Sequence, residues 1–391
     1  MIRSALLLCA GILAAVCSAC APPLAMVAAP VKTALCSAND ANSFVRAVSI
    51  LDTSTGYNPN GQYGVPPKVV GASPTGNVAT NLAAAFSIAP PFFRQHLCDL
   101  DGVFIDPTAC NGLDGCSTRS WGFRDPTSGK LYIGLSQNAL WANGNPAPIL
   151  ADYETRLLNW QLAALNQQPG LAWGSGGPPF FSSRYDPNDP ANTSAMSVLA
   201  ALAHELGHVR WYELNVSRPG TYNYDFSHTL MPCRDGSTYF FDQSWIYGNR
   251  QYLYPPQWRY ATDAASPGVS HYDFPQNSDL QHPGSAAGWR YNVAALLNGR
   301  SHPWVSLSAS LTPDHDFVET YVFTVLTYNG TLNPPVQPYV QSLLLTVSGF
   351  GFSPDIPYDY WHKRGDQRLA RKIGCVADLN ASVPLRRPYI P

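Results

Sequence analysis

The chain has 391 residues, 45% of them hydrophobic and only 13% charged, with a net charge of −2. The length allows one large domain or two ordinary ones, and the charged share lies well below the roughly 25% usual in soluble proteins. The balance, with no basic block, leaves no electrostatic footprint for nucleic acid, and its filling of Asn, Gln, Ser, Thr, Tyr, Gly and Pro reads as a loop-rich extracytoplasmic protein.

The N-terminal "MIRSALLLCAGILAAVCSACAPP" has one early Arg3, an apolar run from Ser4 to Ala21, and then small residues. This is the layout of a secretory signal peptide. The run is about long enough for a membrane anchor, which needs roughly 17–25 residues, but the small residues and prolines directly after it favour cleavage. No later segment is apolar enough to span. The stretch "CSAC" resembles a bacterial lipoprotein cleavage site with Cys20 as the lipidated residue, although Cys17 stands where Leu or Val is usual. Residues 1–19 therefore read as a signal peptide, 20–35 as a tether, and 36–391 as a single domain with its core at about 130–330. The expected location is outside the cytoplasm, either secreted or in a bacterial envelope as a periplasmic or outer-membrane lipoprotein, with membrane attachment through Cys20.

Of the nine cysteines, Cys9 and Cys17 lie in the signal and Cys20 would carry the lipid. That leaves the even set Cys36, Cys98, Cys110, Cys116, Cys233 and Cys375, as expected for disulfides in an oxidising compartment. Ordinary cleavage after Ala25 or Ala29 leaves the same set. Cys110 and Cys116 close the short loop "NGLDG" and form the most natural local pair. The other pairings stay open; Cys36 with Cys375 would staple the two ends. No CxxC spacing survives to suggest a cysteine metal site, and the even count argues against Cys36 or Cys98 as an inhibitory thiolate.

Residues 52–80, rich in Gly, Pro, Asn and Ser, read as irregular surface chain. "KLYIGLSQNALW" (130–141) starts as a strand, with Leu131, Ile133 and Leu135 alternating against Tyr132 and Gly134. "YETRLLNWQLAALN" (153–166) carries Leu at helical spacing and is followed by a Gly/Pro loop. "DPANTSAMSVLAALAHELGHVRWYE" predicts a second helix capped by Asn192 or Thr193, with Met196, Leu199, Ala203 and Leu206 on one apolar side. Residues 215–312 are loop-heavy and aromatic. A third helix is predicted at "DHDFVETYVFTVLTYNG", with Asp314 as cap and Asn329-Gly330 as stop. Beyond it lie the apolar run "VQSLLLTV" and a basic, Pro-broken tail. No internal repeat occurs, and no linker after residue 35 separates two domains.

The second helix carries His204, Glu205 and His208. Four residues on a helix rise about 6 Å and return to nearly the same face, so both imidazoles can reach one Zn²⁺ at roughly 2.0–2.1 Å. Glu205 lies about 100° round the axis, close enough to touch a metal-bound water without itself binding the metal. This is the HExxH arrangement of zinc proteases. Zinc lowers the pKa of its water towards about 7, and Glu205 takes the proton as general base and later hands it to the leaving amine. Gly207, between the two histidines, lets another element approach closely. The bland alternative is a chance match on an amphipathic helix whose histidines are satisfied by solvent or backbone. The upstream cap and the flanking Ala and Leu supply the helical context that the motif demands.

On these residues the chain resembles the zincin metallopeptidases, whose subgroups differ in the third zinc ligand. The metzincin positions hold Trp211 and Leu214. The aspzincin pattern finds Gly220 and Thr221, but Asn223 replaces its Asp and Phe226-Ser227 its Tyr-Gly, which leaves Asp225 as a fallback. The thermolysin-like NExxSD segment is absent. "DHDFVETYVFTVL" resembles the EDFAE-type segment of gluzincin-like bacterial zinc peptidases, with His315-Asp316 where Glu-Asp is usual. The resemblance implies Glu319 as third ligand and Asp316 as a partner in the second shell, orienting a ligand. Phe317, Val318, Tyr321, Val322 and Phe323 leave little polar face here, so a carboxylate at 319 needs a partner. Candidates for stabilising the oxyanion are Tyr222, Tyr224, His228 and Arg290, none of them singled out.

The expectation is therefore an α+β, zincin-like fold, mainly helical around the site, with a small sheet, long loops and disulfides. The implied function is an exported zinc metallopeptidase, with Zn²⁺ as cofactor and a peptide or protein substrate bound as an extra edge strand. The rival is a non-catalytic, zinc-stapled cell-envelope binding or structural lipoprotein. A third possibility is a zincin that hydrolyses a non-protein amide of the cell wall.

Overall fold

Asp40 starts the first element by accepting the Asn42 N–H at 2.9 Å, which satisfies one of the unbonded donors at a helix start. The helix it caps, α1 (Ala41–Ala47), runs directly into strand β1 (Val48–Ile50). There follow α2 (Gly76–Ile88), α3 (Pro91–Asp99), β2 (Gly102–Asp106), β3 (Trp121–Arg124), β4 (Leu131–Ser136), β5 (Phe180–Tyr185) and the long α4 (Ser194–Asn215). Then come the short pair β6 (Arg234–Asp235) and β7 (Thr238–Tyr239), α5 (Pro313–Leu326), β8 (Leu343–Ser348), β9 (Asp355–Tyr358) and α6 (Gln367–Ser382). The computed structural model describes residues 33–52, 71–106, 121–124, 130–136, 180–185, 194–215, 233–235, 238–239, 241, 305, 309, 313–328, 343–348, 355–358 and 367–382. All these elements lie in one compact unit, Ala34–Arg387. The expected signal and tether as far as residue 32, the 153–166 segment, Cys110 and Cys116 lie outside the described residues. Among the described residues no helix is long and apolar enough to cross a membrane.

The main sheet has the order β1-β2-β4-β3, with β1, β2 and β4 parallel and β3 antiparallel on the edge. Val103 faces Ile133 and Ile105 faces Leu135 across the parallel pair, and every residue of β2 is buried. That continuous burial is what a parallel strand covered on both faces requires. A separate antiparallel sheet runs β5-β8-β9 and takes "LLLTVS" as its central strand.

Helix α4 is buried on most of its circumference: Val198 through Leu206 are all buried, and so are Val209 and Trp211. An α-helix apolar on all sides belongs inside a fold. Here α4 packs against α2, β3 and β4 and against α5, which is in turn covered by α6. The expected small sheet beside a helical site is thus present. The hydrophobic core also takes in Phe44, Leu82, Phe93 and Val103 before residue 130 and Leu369, Val376 and Leu379 after residue 330.

Several local expectations are corrected. Residues 76–80, expected as irregular chain, form the first turns of α2, where an Ala-rich run buries Leu82, Ala85 and Phe86 against the core. Helix α5 begins at Pro313, not after an Asp314 cap; proline, lacking an N–H, suits a first helical position. Cys36 pairs with Cys98 and Cys375 with Cys233, so Cys36 and Cys375 do not join the two ends. The reason is packing: Leu35 N–H donates to Cys98 O at 2.7 Å, which brings Cys36 over α3. With both sulfurs in a disulfide, neither Cys36 nor Cys98 is a thiolate available to a metal.

Candidate metal centre

Gly207 of α4 lies against Val318 and Tyr321 of α5. A Cβ there would stand 3.2 Å from Val318 Cγ1 and 3.3 Å from Val318 Cα. A larger residue would push the helices apart, so the glycine permits the close crossing that sets α4 histidines against α5 polar side chains. On the opposite side, Gly122 of β3 lies against α4. A Cβ there would run into the Glu205 carbonyl oxygen and stand 3.0 Å from His208 Cβ. Two glycines thus clamp the HExxH turn between a helix and a strand. Gly207 was legible as a small residue within the motif; Gly122 carries no sequence signal of its role.

Across the helix crossing, Glu319 Oε1 lies 3.1 Å from His204 Nδ1, with the side chains 1% and 4% exposed. The other ring nitrogen, Nε2, stands 3.3 Å from His208 Nε2. Zinc–nitrogen bonds of roughly 2.0–2.1 Å at a tetrahedral angle separate two ligand nitrogens by about 3.3–3.4 Å. The two imidazoles are therefore spaced as one edge of a tetrahedral site. His315 adds a third ring, with its centroid 5.7 Å from that of His208 and 6.4 Å from that of His204. Among the described residues no three His, Cys, Asp or Glu side chains already converge as a metal-binding group. The fit is thus two nitrogens at the right spacing with further donors one helix away.

Electrostatics follow from burial. Desolvation, opposed by the charge of His204, pushes the Glu205 carboxyl up to about 7. Desolvation, with smaller electrostatic contributions from the His204 and His315 rings, holds His208 well below the ordinary histidine value. A low imidazole pKa keeps His208 neutral, the form that binds metals. A carboxyl poised near neutrality is suited to general-base work.

Asp316 is fully buried and receives two hydrogen bonds from Lys372 Nζ of α6, also fully buried. The ring of Phe241 lies 5.2 Å from the same ammonium. Asp316, expected beside a zinc ligand, ties α5 to α6 through this pair, and Glu319 makes the contact with the His204 ring. Lys372 was missed. It stands in a stripe with Leu369, Val376 and Leu379 at helical spacing, all buried, so a lysine on an apolar face was the available signal. Trp211 and Leu214, at the positions where the metzincin pattern has a Gly and a third His, are core residues, with the Trp211 ring 5.4 Å from that of Phe317. Asp225, Tyr222, Tyr224, His228 and Arg290 lie outside the described residues.

No family model matches the chain, and neither does any curated protein or solved structure.

Proposed function

We propose that the chain is an exported zinc-dependent hydrolase of zincin type, cleaving peptide bonds with Glu205 as general base. The observation that carries this reading is the His204–His208 pair, with Nε2 atoms 3.3 Å apart on a buried, otherwise apolar helix turn that also holds Glu205. Zn²⁺ bound by this pair and a third side chain of α5, for which the resemblance implies Glu319, would supply a Lewis acid and lower the pKa of water towards about 7. The chain's own residues do the rest. Burial keeps His208 neutral, and Glu319 holds the His204 ring from its Nδ1 side. Glu205, with its proton affinity near neutrality, takes a proton from the attacking water and returns it to the departing amine nitrogen. No covalent intermediate is needed. The sheet next to α4 would offer its edge to an extended substrate. Export, with Cys20 as a lipid attachment point, completes the proposal.

One observation favours a second reading, a zinc-stapled envelope protein without activity: His204 and Glu205 are each only 3% exposed. Zinc content and casein digestion of the wild type, His204→Ala and Glu205→Gln distinguish the two. The enzyme reading expects stoichiometric zinc and hydrolysis in the wild type, loss of both in His204→Ala, and zinc without hydrolysis in Glu205→Gln. Stoichiometric zinc in a wild type that digests neither casein nor unfolded protein would favour the structural reading. A wild type that binds no zinc would remove both.

A further inference from the structure

We propose that Lys372 is a positioning residue of the candidate site: through Asp316 it holds α5 at the rotation that brings Glu319 to the His204 ring. This rests on the site reading above and assigns what fixes its geometry. Helix α5 carries buried apolar side chains all round, among them Phe317, Val318, Tyr321, Val322, Phe323 and Val325. Burial of this kind is non-directional. It keeps the helix inside, and Gly207 sets how near α4 comes, but neither aims a carboxylate. The threonine hydroxyls do not aim it either. Thr320, Thr324 and Thr327 donate to Asp316 O, Thr320 O and Phe323 O of their own helix at 2.7, 2.8 and 2.7 Å. Directional contacts to other helices run from Asp316 to Lys372 of α6, from Glu319 to His204 of α4, and from the Tyr321 hydroxyl to His96 Nδ1 of α3 at 3.4 Å.

The tolerance is small. Side-chain tips lie about 5–6 Å from a helix axis, so turning α5 by about 10° carries the Glu319 carboxylate about 1 Å round the arc. The 3.1 Å contact with His204 would then open beyond hydrogen-bond length. Asp316 lies three residues before Glu319, close to one turn along α5 and about 60° round its axis. Its two carboxylate oxygens each accept from Lys372 Nζ, and both side chains are 0% exposed. The ammonium is the fixed point from which Glu319 is aimed, and setting register between packed elements is a role suited to a buried ion pair. Lys372 is itself held. Lys372, Cys375 and Leu379 follow at spacings of three and four, on one face of α6. Cys375 is bonded to Cys233, and the Leu379 carbonyl accepts from Arg210 Nη2 of α4 at 3.5 Å, two residues after His208. The Phe241 ring stands 5.2 Å from Lys372 Nζ and 5.3 Å from the Phe317 ring. One face of α6 thus reaches both helices of the site.

The test is long-range ¹H–¹⁵N NMR of the imidazole nitrogens, with urea unfolding, on the metal-free full chain. The samples are wild type, Lys372→Met, Asp316→Leu, the double variant and Glu319→Ala, with His204→Gln to assign the His204 signals. The wild type should show His204 as the tautomer protonated at Nδ1, its hydrogen donated to Glu319, and Glu319→Ala should lose that signature. An apolar pair replaces a buried ion pair at little cost in stability. The double variant should therefore unfold near the wild-type midpoint and still lose the signature, which separates aiming from support. Lys372→Met carries the same test if the double variant does not fold. With zinc added, casein hydrolysis by the double variant should drop about 10-fold, the low end for an outer partner of a metal ligand. A wild-type His204 signature in the folded double variant or in folded Lys372→Met, or no such signature in the wild type, would overturn the proposal and leave the hydrolase reading standing. A signature lost on breaking the pair, in a chain that binds no zinc, would sustain the role of Lys372 in aiming Glu319 and remove only the hydrolase reading.

Discussion

Replacing Lys372 with methionine deletes the ammonium that neutralises Asp316 and keeps a flexible apolar stem in its place. Both side chains are 0% exposed, so the carboxylate loses its ammonium where water does not reach. Breaking a buried pair by removing one partner is destabilising by about 3–5 kcal/mol, far more than an exposed ion pair contributes. At roughly 2.1 cal/mol/K per residue, unfolding the Ala34–Arg387 unit carries an entropy of about 0.7 kcal/mol/K, so this loss lowers Tm by about 4–7 °C. The introduced thioether would still lie near the Phe241 ring, 5.2 Å from the present ammonium, so lost packing adds little. Calorimetry and urea unfolding of Lys372→Met, Asp316→Leu and the double variant measure the coupling. The double variant should recover most of the loss, because an apolar pair of similar volume replaces a buried ion pair at little or no net cost. A single variant within about 0.5 kcal/mol of wild type, or strictly additive single effects, would refute the reasoning.

In metal-free protein, Glu205 should make stability fall as pH rises. Its folded-state pKa, about 7, lies above the ordinary 4.5, so the native state keeps a proton that the unfolded chain releases between those values. Glu205→Gln should abolish that fall and, at pH 8, be more stable than wild type by about 3 kcal/mol in urea, an advantage that saturating zinc shrinks. His96 works in the opposite sense: burial, with the charge of Arg210, holds its imidazole down to about 3. The unfolded chain then binds the extra proton, so stability is lost as pH falls from about 6.5 towards 3, and His96→Gln should flatten the acid limb of the stability curve. Gly122→Ala should loosen the strand from the motif helix and lower both Tm and zinc affinity, since its Cβ meets the Glu205 carbonyl. Gly374→Ala, on α6 with nothing within 4 Å of the new Cβ, should instead stabilise by about 0.5–1 kcal/mol through helix propensity. Equal effects of the two glycine substitutions would refute the packing argument.

What could be read from the chain alone was local. The HExxH helix shows itself because Met196, Leu199, Ala203 and Leu206 repeat at helical spacing around His204 and His208, and all six residues lie in α4. The third helix shows itself for the same reason, and β4 because Leu131, Ile133 and Leu135 alternate over a short span. Gly207 between the histidines already announced a close neighbour. Each of these signals is complete within a turn or two of chain. Tertiary structure alone decided the rest, because the partners are far apart in sequence. Cys36 with Cys98 and Cys233 with Cys375 depend on which helices meet. Helix α2 is held in place by burying Leu82 and Phe86, since its Ala-rich sequence shows no strong period. Lys372 finds Asp316 only when α6 covers α5, and the choice of the His204 nitrogen that meets Glu319 is set by the approach of two helices at Gly207. Periodicity names the face of a helix; only packing names what that face touches.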